Sequence, residues 1–101
     1  MAVSDRKIIV VGAGLGGLTL ALSLVRAGFE VTVFEQASQL GDVGAGIQIS
    51  ANGARVLRGL GVAEELDVVA FRPERDGMRH WQTGETPITC PLGNNSVERF
   101  G

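Results

Sequence analysis

A glycine-rich segment, Gly12–Gly17, stands between a β-branched run and a stretch with helical periodicity. The run Ile8–Val11 is apolar at every position, which predicts a parallel strand that is buried on both faces. Leu15–Ala27 predicts a helix, because its apolar residues recur at helical spacing and Gly28 follows as a stop. Glu30–Phe34 predicts a second strand, and the three elements together form a right-handed βαβ crossover. The sequence therefore predicts an α/β fold of the Rossmann type.

The glycines of this segment match the pattern G-x-G-x-x-G at Gly12, Gly14 and Gly17. In a strand–turn–helix context the pattern indicates dinucleotide binding, because the first glycine permits a sharp turn and the second a close approach of pyrophosphate. The third permits close packing of the helix, whose N-terminus then faces the phosphates. Glu35 ends the second strand, where a carboxylate hydrogen-bonds ribose hydroxyls and disfavours the 2′-phosphate of NADP. The alternative is a βαβ turn that binds no ligand.

A nicotinamide-binding Rossmann half usually continues into a second crossover helix and a third parallel strand. The rest of this chain has a different pattern. The predicted elements are a loop, a short strand, a helix that stops at Gly61, further helical turns and a β-hairpin: Gln36–Gly46, Ile47–Ile49, Asn52–Leu60, Ala63–Val68 and Gly77–Thr89. The hairpin is expected to turn at Thr83–Glu85, between arms at His80–Gln82 and Pro87–Thr89. Residues 94–101 show no periodicity.

Composition excludes several classes of function. Hydrophobic residues make up 45% of the 101 positions, which indicates a globular chain. The net charge of −2, from 9 basic and 11 acidic residues, favours neither nucleic acid nor an anionic membrane as a partner. Cys90 and His80 are single residues of their types, so we predict neither a metal site nor a catalytic residue. No apolar run suits a signal peptide or a membrane span, so a cytoplasmic location is expected.

Two further segments carry a more specific resemblance. Gly12–Glu35 is followed by Gly-Ala-Gly-Ile-Gln-Ile-Ser at Gly44–Ser50 and by Asn-Gly-Ala-Arg at Asn52–Arg55. Together they resemble the N-terminal part of the single-component FAD-dependent aromatic hydroxylases, in particular the salicylate hydroxylase and 6-hydroxynicotinate 3-monooxygenase branch. The resemblance runs from Lys7 to about Phe100. It departs at Ala51, where that branch commonly has proline, and Gly44 argues against the p-hydroxybenzoate hydroxylase branch, which has arginine there.

The resemblance implies a Rossmann-type FAD-binding βαβ unit with the start of a β-hairpin substrate region, as an incomplete fragment of a larger fold. The division expected is residues 1–70 for the ADP-binding unit and 71–101 for the hairpin and tail. The larger enzyme would hydroxylate a small aromatic acid with O₂ and with NADH or NADPH as a transient co-substrate. The oligomeric state is left open. An NAD-dependent dehydrogenase half and a non-catalytic nucleotide-binding fragment stay as alternatives.

The expected cofactor contacts fall into three groups. The glycine turn and the end of the second strand are expected to hold the pyrophosphate and the adenosine ribose. Gly44–Ile47 is expected to bring backbone close to the flavin ring or the ribityl chain. Arg55 is expected either to contact a flavin phosphate or to be solvated or salt-bridged. The complete predicted set is Gly12, Ala13, Gly14, Leu15, Gly16, Gly17, Glu35, Gln36, Gly44, Ala45, Gly46, Ile47 and Arg55.

Overall fold

The structure, a computed structural model, describes residues 6–41, 44 and 46–100. The chain divides into two compact units, Met1–Ile47 and Gln48–Gly101. The first contains β1 (Lys7–Val11), α1 (Leu15–Arg26) and β2 (Glu30–Phe34). The second contains two helices, a hairpin and a third helix: α2 (Ala51–Gly59), α3 (Ala63–Val69), β3 (Arg75–Met78), β4 (Ile88–Pro91) and α4 (Asn94–Phe100).

The predicted βαβ crossover is present in the first unit. Strands β1 and β2 pair in parallel, in a register that runs from Lys7 opposite Glu30 to Val11 opposite Phe34. The Gly12 N–H extends the ladder by donating to the Phe34 carbonyl oxygen at 2.7 Å. The two strands therefore end together, and the glycine turn begins at that edge.

Helix α1 stops where the glycine signal predicts. Gly28 has a φ of +89°, and its N–H donates to the Val25 carbonyl while the Phe29 N–H donates to that of Leu24, each at 3.0 Å. This is the Schellman arrangement, in which a residue in the left-handed region satisfies the last carbonyls of a helix. Helix α2 ends in the same way at Gly61.

Burial of the two-stranded sheet is one-sided. Val10, on the face toward α1, is 6% exposed. On the other face Ile9 is 64% exposed, Val11 84% and Phe34 57%, because alternate strand residues point away from the single crossover helix. The prediction of a strand buried on both faces is therefore wrong for β1 in this structure.

The predicted short strand, at the boundary of the two units, is wrong. Ile47–Ile49 has no strand assignment and pairs with no other strand among the described residues. Two alternating isoleucines suffice for a strand-like pattern, but a strand also needs a partner for its backbone groups. Ile47 is largely exposed, so burial does not compensate for the missing ladder.

The hairpin exists, but its ladder lies elsewhere than predicted. β3 and β4 are antiparallel, from Arg75 opposite Pro91 to Met78 opposite Ile88. His80–Gln82 belongs to the connecting loop, because the His80 N–H donates to the Glu85 carbonyl at 2.7 Å and the Gly84 N–H donates back to that of His80 at 2.9 Å. The loop thus closes on itself. Trp81 projects from it and is 84% exposed.

The tail, for which the sequence shows no periodicity, forms α4, Asn94–Phe100. Gly93 turns the chain with a φ of +59°, and its carbonyl accepts the Val97 N–H at 3.1 Å. Val97 and Phe100 are the apolar residues of this helix, and two such residues are too few for a hydrophobic period to be visible in the sequence. The predicted helices α2 and α3 are confirmed. The division of the chain at residue 70 stays a prediction.

Candidate dinucleotide site

The glycine turn is shaped by a close approach of α1 to the end of β1. Gly12 has a φ of +96°, a left-handed conformation that turns the chain off the strand. A Cβ on Gly17 would lie 1.9 Å from the Gly12 carbonyl oxygen and 3.6 Å from Val10 Cγ1. Only glycine fits at this position without moving the helix, which is the packing role that the motif predicts.

Gly14 shows the opposite environment. No described atom lies within 4 Å of the position that a Cβ on Gly14 would take, and its φ of −71° is an ordinary value. Neither sterics nor strain within the described chain therefore requires glycine there. The open space above Gly14 fits a ligand group that contacts the backbone directly.

The N-terminus of α1 faces the same turn. Gly14 is the N-cap residue and offers no side chain, and the first turn contains no acidic residue. The first intrahelical bond runs from the Leu18 N–H to the Gly14 carbonyl oxygen at 2.9 Å. The N–H groups that precede it, those of Leu15, Gly16 and Gly17, have no acceptor within the helix and can donate to an external one. Together with the helix dipole they suit a phosphate or pyrophosphate.

Glu35 connects the end of β2 to this turn. Its Oε2 accepts the Ala13 N–H at 2.7 Å, and its Oε1 accepts the Ala37 N–H at 2.9 Å. The Ala13 and Ala37 hydrogen bonds, with a smaller contribution from the Gln36 N–H, lower the pKa of Glu35 from its ordinary value of 4.5. The carboxylate is therefore charged at neutral pH and stands beside the open turn.

Ala37 is a contact that the sequence analysis missed. A side chain that accepts the N–H two residues ahead is typical of Asp, Asn, Ser and Thr, so Glu35-Gln36-Ala37 carried no such signal in the sequence. The Glu35–Ala13 contact had no local signal either, because 22 positions separate the two residues. It depends on the parallel register that ends both strands at one edge.

The second predicted contact segment is only partly described. Gly44 and Gly46 have φ values of +105° and +137°, and Ile47 is largely exposed. Ala45 lies outside the described residues. The proximity of this segment to a flavin stays a prediction.

Arg55 has a different setting from the one expected. It lies on α2, in the second unit, and its Nε and Nη2 both donate to the Phe100 carbonyl oxygen, at 2.9 and 2.5 Å. The guanidinium therefore holds the C-terminal end of α4 against α2. Its contact with a flavin phosphate stays a prediction.

The part of the chain that the structure describes offers few other groups for metal binding or catalysis. No group of three or more His, Cys, Asp or Glu residues in residues 6–41, 44 and 46–100 could hold a metal ion. His80 Nδ1 accepts the Gln82 and Thr83 N–H groups, each at 3.3 Å, and so organises its own loop. None of the helices within the described ranges has the length and apolarity that crossing a membrane requires.

The chain is similar to curated bacterial monooxygenases over nearly all of its length. It is 48% identical over 95 residues to PtmB3, a 3-amino-4-hydroxybenzoate 2-monooxygenase of Streptomyces platensis, with 94% of this chain and 24% of the relative covered. It is 41% identical to the 6-hydroxynicotinate 3-monooxygenase of Pseudomonas fluorescens, with 94% and 25% covered. The chain thus spans about a quarter of these relatives. The resemblance to aromatic hydroxylases is confirmed.

A solved structure shares the fold. The crystal structure of Klebsiella pneumoniae HpxO complexed with FAD and uric acid superposes with a TM-score of 0.66 at 24% identity, covering 97% of this chain and 28% of that one. The sequence profile of the NAD(P)-binding Rossmann-like domain matches residues 10–62, which include the glycine turn, Glu35 and α2. Because that match spans more than half of the chain, the chain belongs to the NAD(P)-binding Rossmann-like domain family.

Proposed function

We propose that the glycine turn and Glu35 bind the ADP half of FAD, as part of a larger flavoprotein monooxygenase. The observation that carries this proposal is the juxtaposition of a charged carboxylate with an open, uncapped helix N-terminus. The first helical turn offers N–H donors to the pyrophosphate, and Gly14 leaves the space that it needs. Glu35 offers acceptors to the ribose hydroxyls.

FAD is favoured over a nicotinamide dinucleotide by the relatives. Both curated relatives are named as monooxygenases of an aromatic acid, and the structural neighbour was solved with FAD. The isoalloxazine ring supplies the redox chemistry with O₂ when FAD is bound, and the protein's part is to bind, orient and exclude water. In this proposal the parent enzyme takes a small aromatic acid as substrate and NADH or NADPH as electron donor, in the cytoplasm.

A nicotinamide dinucleotide is the second candidate ligand. The family is described by NAD(P) binding, and the ADP half is common to NAD and FAD. The Glu35 carboxylate disfavours NADP in either case, because it would face the 2′-phosphate.

A ligand panel tests the proposal. The purified chain is titrated with FAD, ADP, FMN, NAD and NADP, with binding followed by flavin fluorescence or by calorimetry. We expect FAD and ADP to compete for one site, because both carry the recognised half. FMN, which lacks adenosine, is expected not to bind. Tighter binding of NAD than of FAD would instead establish the nicotinamide alternative.

A variant pair locates the binding site within the chain. Glu35→Ala removes the acceptor for the ribose and is expected to weaken FAD binding about tenfold or more. Glu30→Ala, at the other end of the same strand, removes only an exposed ion pair with Lys7 at 3.5 Å and is expected to leave binding unchanged. Equal affinities of the two variants for FAD would contradict the assignment of Glu35.

A further inference from the structure

Glu35 makes its contact with the glycine turn without any ligand. Both strands end at one edge, where Val11 lies opposite Phe34, and the Gly12 N–H is already used by the Phe34 carbonyl. The Ala13 N–H follows directly and points to Oε2 of Glu35 at 2.7 Å. The carboxylate is tethered in turn through Oε1 to the Ala37 N–H at 2.9 Å. The side chain therefore bridges the loop after β2 and the turn after β1.

We propose that Glu35 is a positioning residue for the glycine turn, and that its carboxylate holds the Ala13 N–H in place before the dinucleotide arrives. This role is separate from the ribose contact proposed above. It acts on the backbone next to Gly14, which is the point where a pyrophosphate would approach.

Charge and lone pairs let one carboxylate perform both tasks. An ionised carboxylate has about four acceptor positions, and the bonds from Ala13 and Ala37, with the weaker contribution from Gln36, do not fill all of them. The carboxylate can therefore also accept a ribose hydroxyl, so ligand binding need not break the contact with the turn. Hydrogen bonds from backbone N–H groups to a charged acceptor are stronger than neutral ones, so the carboxylate can hold the Ala13 N–H although both groups are near solvent.

The contacts that the structure gives for Glu35 are with backbone N–H groups of the turn and of the loop after β2. The Lys7–Glu30 ion pair lies at the opposite end of the strands, and the Arg72–Asp67 ion pair lies in the second unit, so neither involves this carboxylate.

Amide NMR of the ligand-free chain tests the proposal. An amide proton bonded to a carboxylate changes its chemical shift when the carboxylate is protonated. We expect the Ala13 and Ala37 amide protons of the wild-type chain to titrate together, with one midpoint below pH 4.5. A purely steric role for Glu35 would not move the Ala13 resonance. Failure of Ala13 to follow the midpoint of Ala37 would overturn the proposal without any variant.

Hydrogen exchange supplies a second readout. Glu35→Gln keeps the size of the side chain but replaces the charged acceptor, so we expect the Ala13 amide to exchange about three- to tenfold faster than in wild type. Glu30→Gln is the matched control and is expected to leave Ala13 unchanged. Unchanged Ala13 exchange in a Glu35→Gln chain with native circular dichroism would also refute the proposal.

The two proposals fail in different ways. These measurements use the chain without ligand, so a chain that bound no FAD but showed the common Ala13 and Ala37 titration would retain the positioning role. A chain that bound FAD through Glu35 without that titration would lose the positioning role and keep the function.

Discussion

At the scale of single residues, Gly14 and Glu35 are the two positions on which the candidate site depends. Gly14 is open toward solvent, and the Glu35 carboxylate is fixed beside it by backbone donors. In the proposed function the glycine is required by the ligand that binds there, while the carboxylate also orders the protein around that ligand. Substitutions at these two positions should therefore have different consequences.

Substitution of Gly14 should affect the ligand and spare the fold. Gly14→Val places a side chain in the space proposed for the pyrophosphate, where it meets no described atom of the protein. We expect FAD binding by the chain to be lost while circular dichroism keeps its α/β signature. Gly59→Val, at the end of α2 and equally open, controls for the cost of valine in place of glycine. Retention of FAD by Gly14→Val would show that pyrophosphate does not approach the backbone there.

The charge of Glu35 should make the stability of the folded chain depend on pH with a known sign. Its folded pKa lies below the ordinary value of 4.5, so the unfolded chain binds the proton more tightly. The stabilisation is therefore complete above pH 4.5 and is lost as pH falls through the lower, folded pKa. The effect is modest because the group is exposed. Urea midpoints at pH 7 and pH 3 should show a larger difference between wild type and Glu35→Gln at the higher pH than at the lower; a constant difference would contradict the assignment.

At the scale of elements, the contact between β1 and α1 is the most restrictive. Gly17 is in the first turn of the helix, with the Gly12 carbonyl where its Cβ would be. The neighbouring Gly16 has open space at its Cβ position. Glycine is thus needed for packing at position 17, whereas at position 16 its effect is limited to helix propensity.

This pair of glycines provides a matched test of stability. Gly17→Ala must push α1 away from β1, because a backbone atom cannot move aside as a flexible side chain can. We expect a loss of about 1–3 kcal/mol in the free energy of unfolding. Gly16→Ala should be neutral or gain about 0.5–1 kcal/mol from helix propensity. Thermal unfolding followed by circular dichroism measures both, and equal stabilities would contradict the close approach.

Over the whole molecule, the exposed face of the sheet is the main weakness. Ile9, Val11 and Phe34 form an apolar stripe on the face away from α1. Parallel sheets usually have both faces covered. We therefore expect the chain alone to be marginally stable, to bind hydrophobic dyes and to associate through this face or through the strand edges.

The same incompleteness predicts an inactive chain. The proposed site would serve the ADP half of a dinucleotide, and we assign no group among the described residues to an aromatic substrate. With FAD, NADH and either salicylate or 6-hydroxynicotinate, we expect NADH oxidation no faster than with free FAD and no hydroxylated product by chromatography. Substrate-dependent turnover well above the free-flavin control would require a complete active site within these residues.

In the loops and the tail, local sequence patterns did not predict the elements correctly. The hairpin was predicted, yet its ladder lies at Arg75–Met78 and Ile88–Pro91 because hydrogen bonds inside the loop remove His80–Gln82 from pairing. Ile47–Ile49 has a strand pattern without a partner strand among the described residues, and α4 has too few apolar residues to show a period. In each case the outcome depends on a backbone partner that no local pattern specifies.

The βαβ unit and its glycine turn followed from the sequence by itself. Helical periodicity, β-branched runs and glycines at turn positions are local signals, and Gly28 and Gly61 stopped their helices as those signals predict. The close packing at Gly17 also followed from the glycine motif, and the structure adds that the Gly12 carbonyl is what a Cβ would meet. Tertiary structure alone decided that Glu35 reaches the Ala13 N–H. That contact depends on strand register, which is set by pairing between segments distant in sequence, so no pattern within one segment could have specified it.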